Sequence, residues 1–209
     1  MITLKVRVTF DEEVLGTANA NPDIHQEYIA SKAPDAMKLE EEVAAIGSEE
    51  VFEKGMTVFS RDKNNNPIFW DYQIKGYFKD AFKFIRKIPK SACSGIKNYK
   101  QEIDGLIFVE PRQIPINVNG EIGICQRPLR ANTPQGERVA LASSETISAG
   151  SYIDFSIKLL SDSHEKAVLE ALEYGRLRGF GQWRNSGKGR FHYYVLERTV
   201  SDSLAGLFS

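Results

Sequence analysis

Cysteine is scarce in this chain: of 209 residues only Cys93 and Cys125 carry thiols, far apart and outside any CxxC spacing. A disulfide scaffold and a thiolate zinc cluster both need more than that. Two buried free thiols in a reducing compartment are expected, with a disulfide between them as the alternative. The three histidines, His25, His164 and His192, stand in unrelated contexts, so no metal centre is expected. No apolar run approaches the roughly 20 residues that cross a bilayer. The first ten residues alternate, with no basic stretch leading into an apolar one, so no secretory leader is expected and the cytoplasm is the expected compartment. An excess of positive charge is missing too. Lysine plus arginine number 27 against 28 acids, for a net charge of -1. The chain as a whole is no polycation, though its 42% hydrophobic content suffices for an ordinary core.

What is present begins with a strand. Ile2, Leu4, Val6, Val8 and Phe10 share one parity and Thr3, Lys5, Arg7 and Thr9 the other, which predicts packing on one face only. Residues 11–34 lack a period and read as a long loop. Residues 35–46, between Pro34 and Gly47, predict a helix with an acidic outer face. Asp62-Lys63-Asn64-Asn65-Asn66 suits a hairpin turn between 56–60 and 67–72. A helix is expected from about Gly76 to Ile88, buried through Phe78, Ala81, Phe82, Ile85 and Ile88, and stopped by Pro89. Strands are expected at 106–110, 114–118, 121–127, 138–144 and 152–160, with Asn119-Gly120 turning two of them into a hairpin. Ser161 or Ser163 is the expected cap of a helix that buries Ala167, Val168, Ala171 and Leu172. A last strand is expected at 191–196, and 201–209 reads as a frayed tail. Stripped of insertions the order is β-α-β-β-α-β, a ferredoxin-like α+β arrangement with an antiparallel sheet. One domain over 1–200 is expected, with a helix and a hairpin inserted at about 17–72.

The net charge conceals an asymmetry. Residues 38–54 hold Glu40, Glu41, Glu42, Glu49, Glu50 and Glu53, whereas Gly175 to Arg190 holds Arg176, Arg178, Arg184, Lys188 and Arg190 without one acid. A phosphate responds to the local field, not to the sum. Five glycines interleave with these cations, and closely spaced glycines let a ligand approach main-chain N–H groups with no Cβ in the way. Arginine adds bidentate contacts to phosphate. Phe180 and Trp183 offer faces on which unpaired bases stack. The bland reading of the same stretch is a solvated turn between a helix and a strand. It is no dinucleotide fingerprint, because Gly179 and Gly181 follow a helix and precede a strand; it is no Walker loop either, for want of a Gly-Lys-Ser/Thr step. A second basic element spans 73–83. Its expected helix start at Gly76 is an intrinsic phosphate site flanked by Lys75 and Lys79, with Lys83 a turn further on. An ordinary lysine-rich helix face is the alternative there.

Taken together these elements resemble a known family. Gly179-Phe180-Gly181 through Gly189-Arg190-Phe191 is similar to the C-terminal glycine-rich loop, G-x-G-x-R-R-x-x-G-x-G-R, of the RAMP superfamily of CRISPR-associated proteins. Asn66-Pro67-Ile68 running into Ile74-Lys75-Gly76-Tyr77-Phe78-Lys79-Asp80-Ala81 resembles that family's I-P-G-S-S-L-K-G-A-L-R segment. The strand at 2–10 leading to Leu15-Gly16 resembles its start. The three anchors keep the family's order over most of the chain, with departures at Tyr77, Phe78 and Asp80. The resemblance implies a modified ferredoxin-like (RRM-like) fold with two main helices, and RNA bound across the sheet, the first helix and the glycine loop. The candidate phosphate and RNA ligands are then Lys75, Gly76, Lys79, Lys83, Arg178, Gly181, Trp183, Arg184, Gly187, Lys188, Gly189 and Arg190.

Some family members cleave RNA with a histidine placed after the first strand, and His25 and Asp23 fall in that region. His25 is the candidate general acid or base on a 2′-hydroxyl. A loop residue with no catalytic part is the alternative, and the chain reads first as a binder. His164 is expected at the surface and His192 in a structural role. No DxD or HD pair suggests metal-dependent nuclease chemistry, and no cofactor is expected. The expected partner is RNA, single-stranded or guide-like, in a defence or anti-defence setting. Assembly with CRISPR-type subunits, self-assembly, and capture of a small nucleotide by the glycine loop are the alternatives.

Overall fold

The computed structural model describes residues 1–19, 56–133 and 136–201, with 129–133 and 136–140 as backbone. The helix expected at 35–46, the acid-rich segment up to residue 55, and the tail from 202 lie outside the described residues.

Strand β1 (Ile2–Phe10) has the expected period of two: its five apolar residues are all buried, while Lys5 is exposed on the other face. Two short strands follow, β2 (Val14–Leu15) and β3 (Ala18–Asn19). The chain returns through β4 (Thr57–Val58), β5 (Ser60–Arg61) and β6 (Pro67–Trp70). The expected hairpin is formed, β5 pairing antiparallel with β6. Asp62 closes its turn, one carboxylate oxygen accepting the N–H groups of Asn64 and Asn66, each at 2.8 Å. Hydrogen bonding to Asn66 holds that carboxyl below its ordinary range.

Helix α1 runs Asp71–Ile85, not from Gly76 to Ile88. The start moves because Gln73 turns back, its Oε1 accepting the Trp70 N–H at 2.7 Å, and Asp71 supplies an acid to the first turn. Glycine at 76 is therefore an exposed second-turn residue, not a helix start. Phe78, Ala81, Phe82 and Ile85 form the buried stripe as expected, joined by Ile74 and Tyr77; Ile88 lies past the helix and is exposed. A short turn at Ala92–Gly95 leads to α2 (Tyr99–Leu106) and then β7 (Ile107–Glu110).

Strands β8 (Gln113–Asn117), β9 (Gly123–Thr133), β10 (Gly136–Ile147) and β11 (Tyr152–Leu159) follow. Here the expected Asn119-Gly120 hairpin is overturned: β8 pairs with β11 and β6, while β9 pairs with β10. Asn119 is tied instead to the turn before β11, donating from Nδ2 to the Ala149 carbonyl and from its main-chain N–H to the Ser151 hydroxyl oxygen, both at 2.9 Å. That contact sends the chain away into a second sheet.

The last elements are α3 (Glu165–Arg178) and β12 (Phe191–Val200). Neither serine caps α3; Ser161 and Ser163 bond each other at 2.8 Å, and a turn at Asp162–His164 precedes the helix. His164 is not at the surface. It is 4% exposed, with Nε2 2.7 Å from Glu102 Oε2, so it fastens α2 to the start of α3. His192 lies in β12 with Nδ1 2.5 Å from Asp11, a structural place as expected.

The main sheet is ordered β12-β1-β11-β8-β6-β5, with β7 also on β11. Strands β7 and β8 behave as one interrupted strand along β11. Residues 111–115 bulge out opposite only 154–155, and there they reach β6. Read this way, the antiparallel order 4-1-3-2 with α1 and α3 on one face is the ferredoxin-like α+β fold. Two insertions build the second sheet: β2, β3 and β4 before α1, and the β9–β10 hairpin before β11.

Both thiols are free, but only Cys93 is fully buried. Burial, with Glu170 alongside, pushes its thiol up to about 12. A thiolate-directed reagent at about pH 8 is therefore expected to label one thiol, Cys125, in the folded protein, and the second only after unfolding. Rapid labelling of both would contradict the packing of Cys93. Among the described residues no helix is long and apolar enough to cross a membrane.

Candidate nucleic-acid interface

The glycine-rich stretch is a built object. Helix α3 ends when Gly179 adopts φ 75°, and a Cβ there would stand 2.5 Å from the Lys188 carbonyl. Phe180 N–H donates to the Gly189 carbonyl at 2.8 Å, and Gly189 N–H donates to the Glu13 carbonyl at 2.7 Å. Gly189 has φ 72°, and a Cβ on it would overlap the Phe180 carbonyl. These glycines exist because two backbone segments cross with no room between them. The loop is thereby stapled to itself and to the residues after β1.

Phe180, a candidate stacking face, is corrected by this geometry. It is 6% exposed, packed edge-on against Phe69 at 4.8 Å and tilted against Tyr77 at 6.2 Å. The staple at Gly189 turns Phe180 into the core. Trp183 is different. It takes the left-handed conformation (φ 53°), is 41% exposed, and opens the turn Arg184–Ser186, which Ser186 closes by donating to the Trp183 carbonyl.

A cleft of about 220 Å³ lies between this loop, the residues after β1 and the first half of α1, lined among others by Thr17, Gln73, Gly76, Asp80, Gly181 and Arg184. Gln73 spans it, donating from Nε2 to Thr17 Oγ1 at 2.7 Å. Beneath it Tyr77 donates its hydroxyl to the Ala171 carbonyl at 2.6 Å, and burial pushes that hydroxyl's pKa up. At the mouth two guanidiniums meet one carboxylate. Arg184 Nη1 is 2.5 Å and Arg178 Nε 3.1 Å from the same oxygen of Asp80, all three side chains about a quarter exposed.

Of the candidate ligands, the structure brings Gly76, Gly181, Arg178 and Arg184 together here. The lysines of the expected helix start turn elsewhere. Lys79 pairs with Asp104 of α2 at 2.6 Å, and Lys75 lies 4.6 Å over the Phe108 ring with the Asp104 carbonyl at 3.4 Å. Because α1 begins at Asp71, both sit a turn or more inside the helix, on the side away from the loop. Lys188 reaches Glu13 at 2.6 Å, and that bond holds its ammonium above the ordinary range. Arg190 is exposed beside Gly187. His25 and Asp23 lie outside the described residues.

Other contributors are not among the candidates read from the sequence. Arg127, from β9, is 9% exposed, donates to Gln182 Oε1 at 2.8 Å and stands 5.4 Å over the Trp183 ring. Gln182 in turn donates to the Gly16 carbonyl at 3.1 Å, so the second sheet fixes the loop's outer side. Nothing in the spacing of a strand arginine foretells that. Glu13 was legible in principle, as part of an acid run, Asp11-Glu12-Glu13, directly after the first strand.

No protein-family model matches the chain, and no curated protein matches it by sequence. Solved structures do. The chain is similar in fold to one in the cryo-EM structure of the Type III-B Cmr-beta bound to cognate target RNA, with a TM-score of 0.56 over 94% of this chain and 14% sequence identity. It spans 60% of the length of that larger chain.

Proposed function

We propose that this chain is an RNA-binding protein of the RAMP type, which holds a phosphate backbone at the cleft between the glycine loop and α1. The observation that carries the reading is the double arginine contact on Asp80. Two guanidiniums converging on one carboxylate oxygen mark a place where a phosphate oxygen would be gripped in the same way. Trp183, fixed from behind by Arg127, presents a stacking face beside it. The likeness in fold to a chain from an RNA-bound CRISPR complex supports the same reading. Arg184 is the first ligand, Arg178 the second, and Lys188 and Arg190 supply field. One domain over 1–200 carries the activity.

Binding of a fluorescent single-stranded oligouridylate, followed by anisotropy in EDTA, tests this. Affinity falls steeply between about 50 and 200 mM salt. The double variant Arg184→Ala, Lys188→Ala weakens binding about fivefold and flattens the log–log salt slope by ~1.4, since each single-strand phosphate contact contributes ~0.7. Unchanged affinity and slope would remove the loop from the site.

A second reading, assembly with CRISPR-type subunits or with itself, is favoured by one fact: Asp80 and Glu13 already neutralise Arg184 and Lys188. Purified protein that associates with such subunits while carrying no nuclease-sensitive material supports it.

A further inference from the structure

The glycine loop is matched by a second basic stretch that also lacks acids. From Ala81 to Gln101 there are six cations, Lys83, Arg86, Lys87, Lys90, Lys97 and Lys100, and no acid. All six are exposed. They occupy the second half of α1, the turns after it and the first turn of α2. Phe84 stands among them, 36% exposed. Three cations surround its ring: Lys83 Nζ at 5.4 Å, the Arg178 guanidinium at 5.5 Å and Lys87 Nζ at 5.8 Å from the centroid.

The bland account is a helix C-terminus attracting cations to its dipole. It covers Lys83, Lys87 and Lys90. It does not cover Lys100, which sits in the first turn of α2, where the dipole opposes a cation. Nor does it explain an aromatic ring left half-open in the middle of the charge. The nearby carboxylates are occupied elsewhere: Glu170 accepts the Ala92 N–H at 2.9 Å, and Asp104 holds Lys79. Among the described residues none pairs with Lys83, Lys87 or Lys90.

This surface is continuous with the cleft. Arg178 reaches Asp80 on one side and Phe84 on the other. Along α1, Gly76, Asp80 and Phe84 follow at steps of four, which sets them on one face over roughly 12 Å, and Lys87, in the turn just past the helix, extends it by reaching the Phe84 ring. We infer that a single-stranded nucleic acid leaving the cleft runs along this face of α1, stacking a base on Phe84 and placing its next phosphates on Lys83 and Lys87. The inference rests on the proposed role of the cleft and adds the strand's direction and its second contact. Lysines on flexible stems act here as point charges, so the contact is indifferent to sequence.

Oligouridylate anisotropy on four proteins decides it: wild type, Arg184→Ala, the double variant Lys83→Ala, Lys87→Ala, and Phe84→Ala. Lys83, Phe84 and Lys87 are all exposed, so folding is retained and circular dichroism checks it. The lysine variant is expected to lose about fivefold in affinity and ~1.4 in salt slope. Phe84→Ala is expected to lose about tenfold with the slope unchanged, as loss of stacking requires. If both bind as wild type while Arg184→Ala weakens binding, the second contact is overturned and the cleft stands. If none of the variants changes binding, both fall together. Displacement of the oligouridylate by polyglutamate as readily as by unlabelled oligouridylate would also overturn the inference, because the surface would then suit an acidic protein.

Discussion

Replacing Gly189 by alanine is expected to lower stability by about 4 kcal/mol, and Tm by ~8–16 °C for a chain of this size. The new methyl would land on the Phe180 carbonyl, a backbone atom that cannot swing aside. The left-handed φ of 72° adds about 1–2 kcal/mol for any residue with a Cβ. Relief requires moving Gly189 away from Phe180, which breaks the Phe180 N–H bond to the Gly189 carbonyl at 2.8 Å and disturbs the Gly189 N–H bond to the Glu13 carbonyl at 2.7 Å. Phe180 would then leave its place against Phe69 and Tyr77, so the damage extends into the core. Gly187→Ala is the control. Its φ of 88° is as unfavourable, yet only the Arg190 guanidinium lies near, at 3.7 Å. A loss of ~1–2 kcal/mol is expected there. Thermal melts of the two variants that coincide would show that the loop is not locked through Gly189.

Asp80→Asn is expected to tighten RNA binding about thirtyfold, or ~2 kcal/mol. The carboxylate occupies both Arg178 and Arg184 at the mouth of the cleft, so an incoming phosphate must displace it. An amide keeps the shape of the side chain but removes a charge that competes for two guanidiniums. Each recovered charge-assisted bond contributes about 1.5–3 kcal/mol, offset by the hydration of arginines that are already a quarter exposed. The salt slope should steepen as well, because more phosphate contacts form. Binding weaker than wild type would mean that Asp80 positions the arginines and does not compete with the ligand.

The sequence was most informative where one residue type answered to one neighbour. Alternation through Ile2–Phe10 placed β1 and its buried face, and the spacing of Phe78, Ala81, Phe82 and Ile85 placed the buried side of α1. The order of these elements sufficed for the ferredoxin-like topology. Boundaries failed where a side chain reached back. With Gln73 reaching back, α1 starts at Asp71, five residues before the expected start at Gly76, so Lys75 and Lys79 lie inside the helix and are held at Asp104 of α2. The Asn119-Gly120 turn failed because hairpin pairing depends on what waits across the sheet, and here β11 and β10 took the two strands. At the cleft the glycine and arginine pattern was legible, but its electrostatic state was not. Asp80 meets its two arginines across 98 and 104 residues, and no local pattern encodes such a meeting. Arg127 is more hidden still, since its place depends on a hairpin from a different sheet crossing to Gln182.

The staple at Gly189 also bears on how fast and how tightly the cleft can engage a ligand. A segment that is disordered before contact surrenders conformational entropy at the moment of capture, and that loss subtracts from affinity. Here the crossing of 179–180 with 188–189 has already been fixed during folding, on the free-energy balance of the core. Encounter therefore finds the loop's backbone already in place, and on the proposed reading what remains is to free Arg178 and Arg184 from Asp80 and to order the ligand.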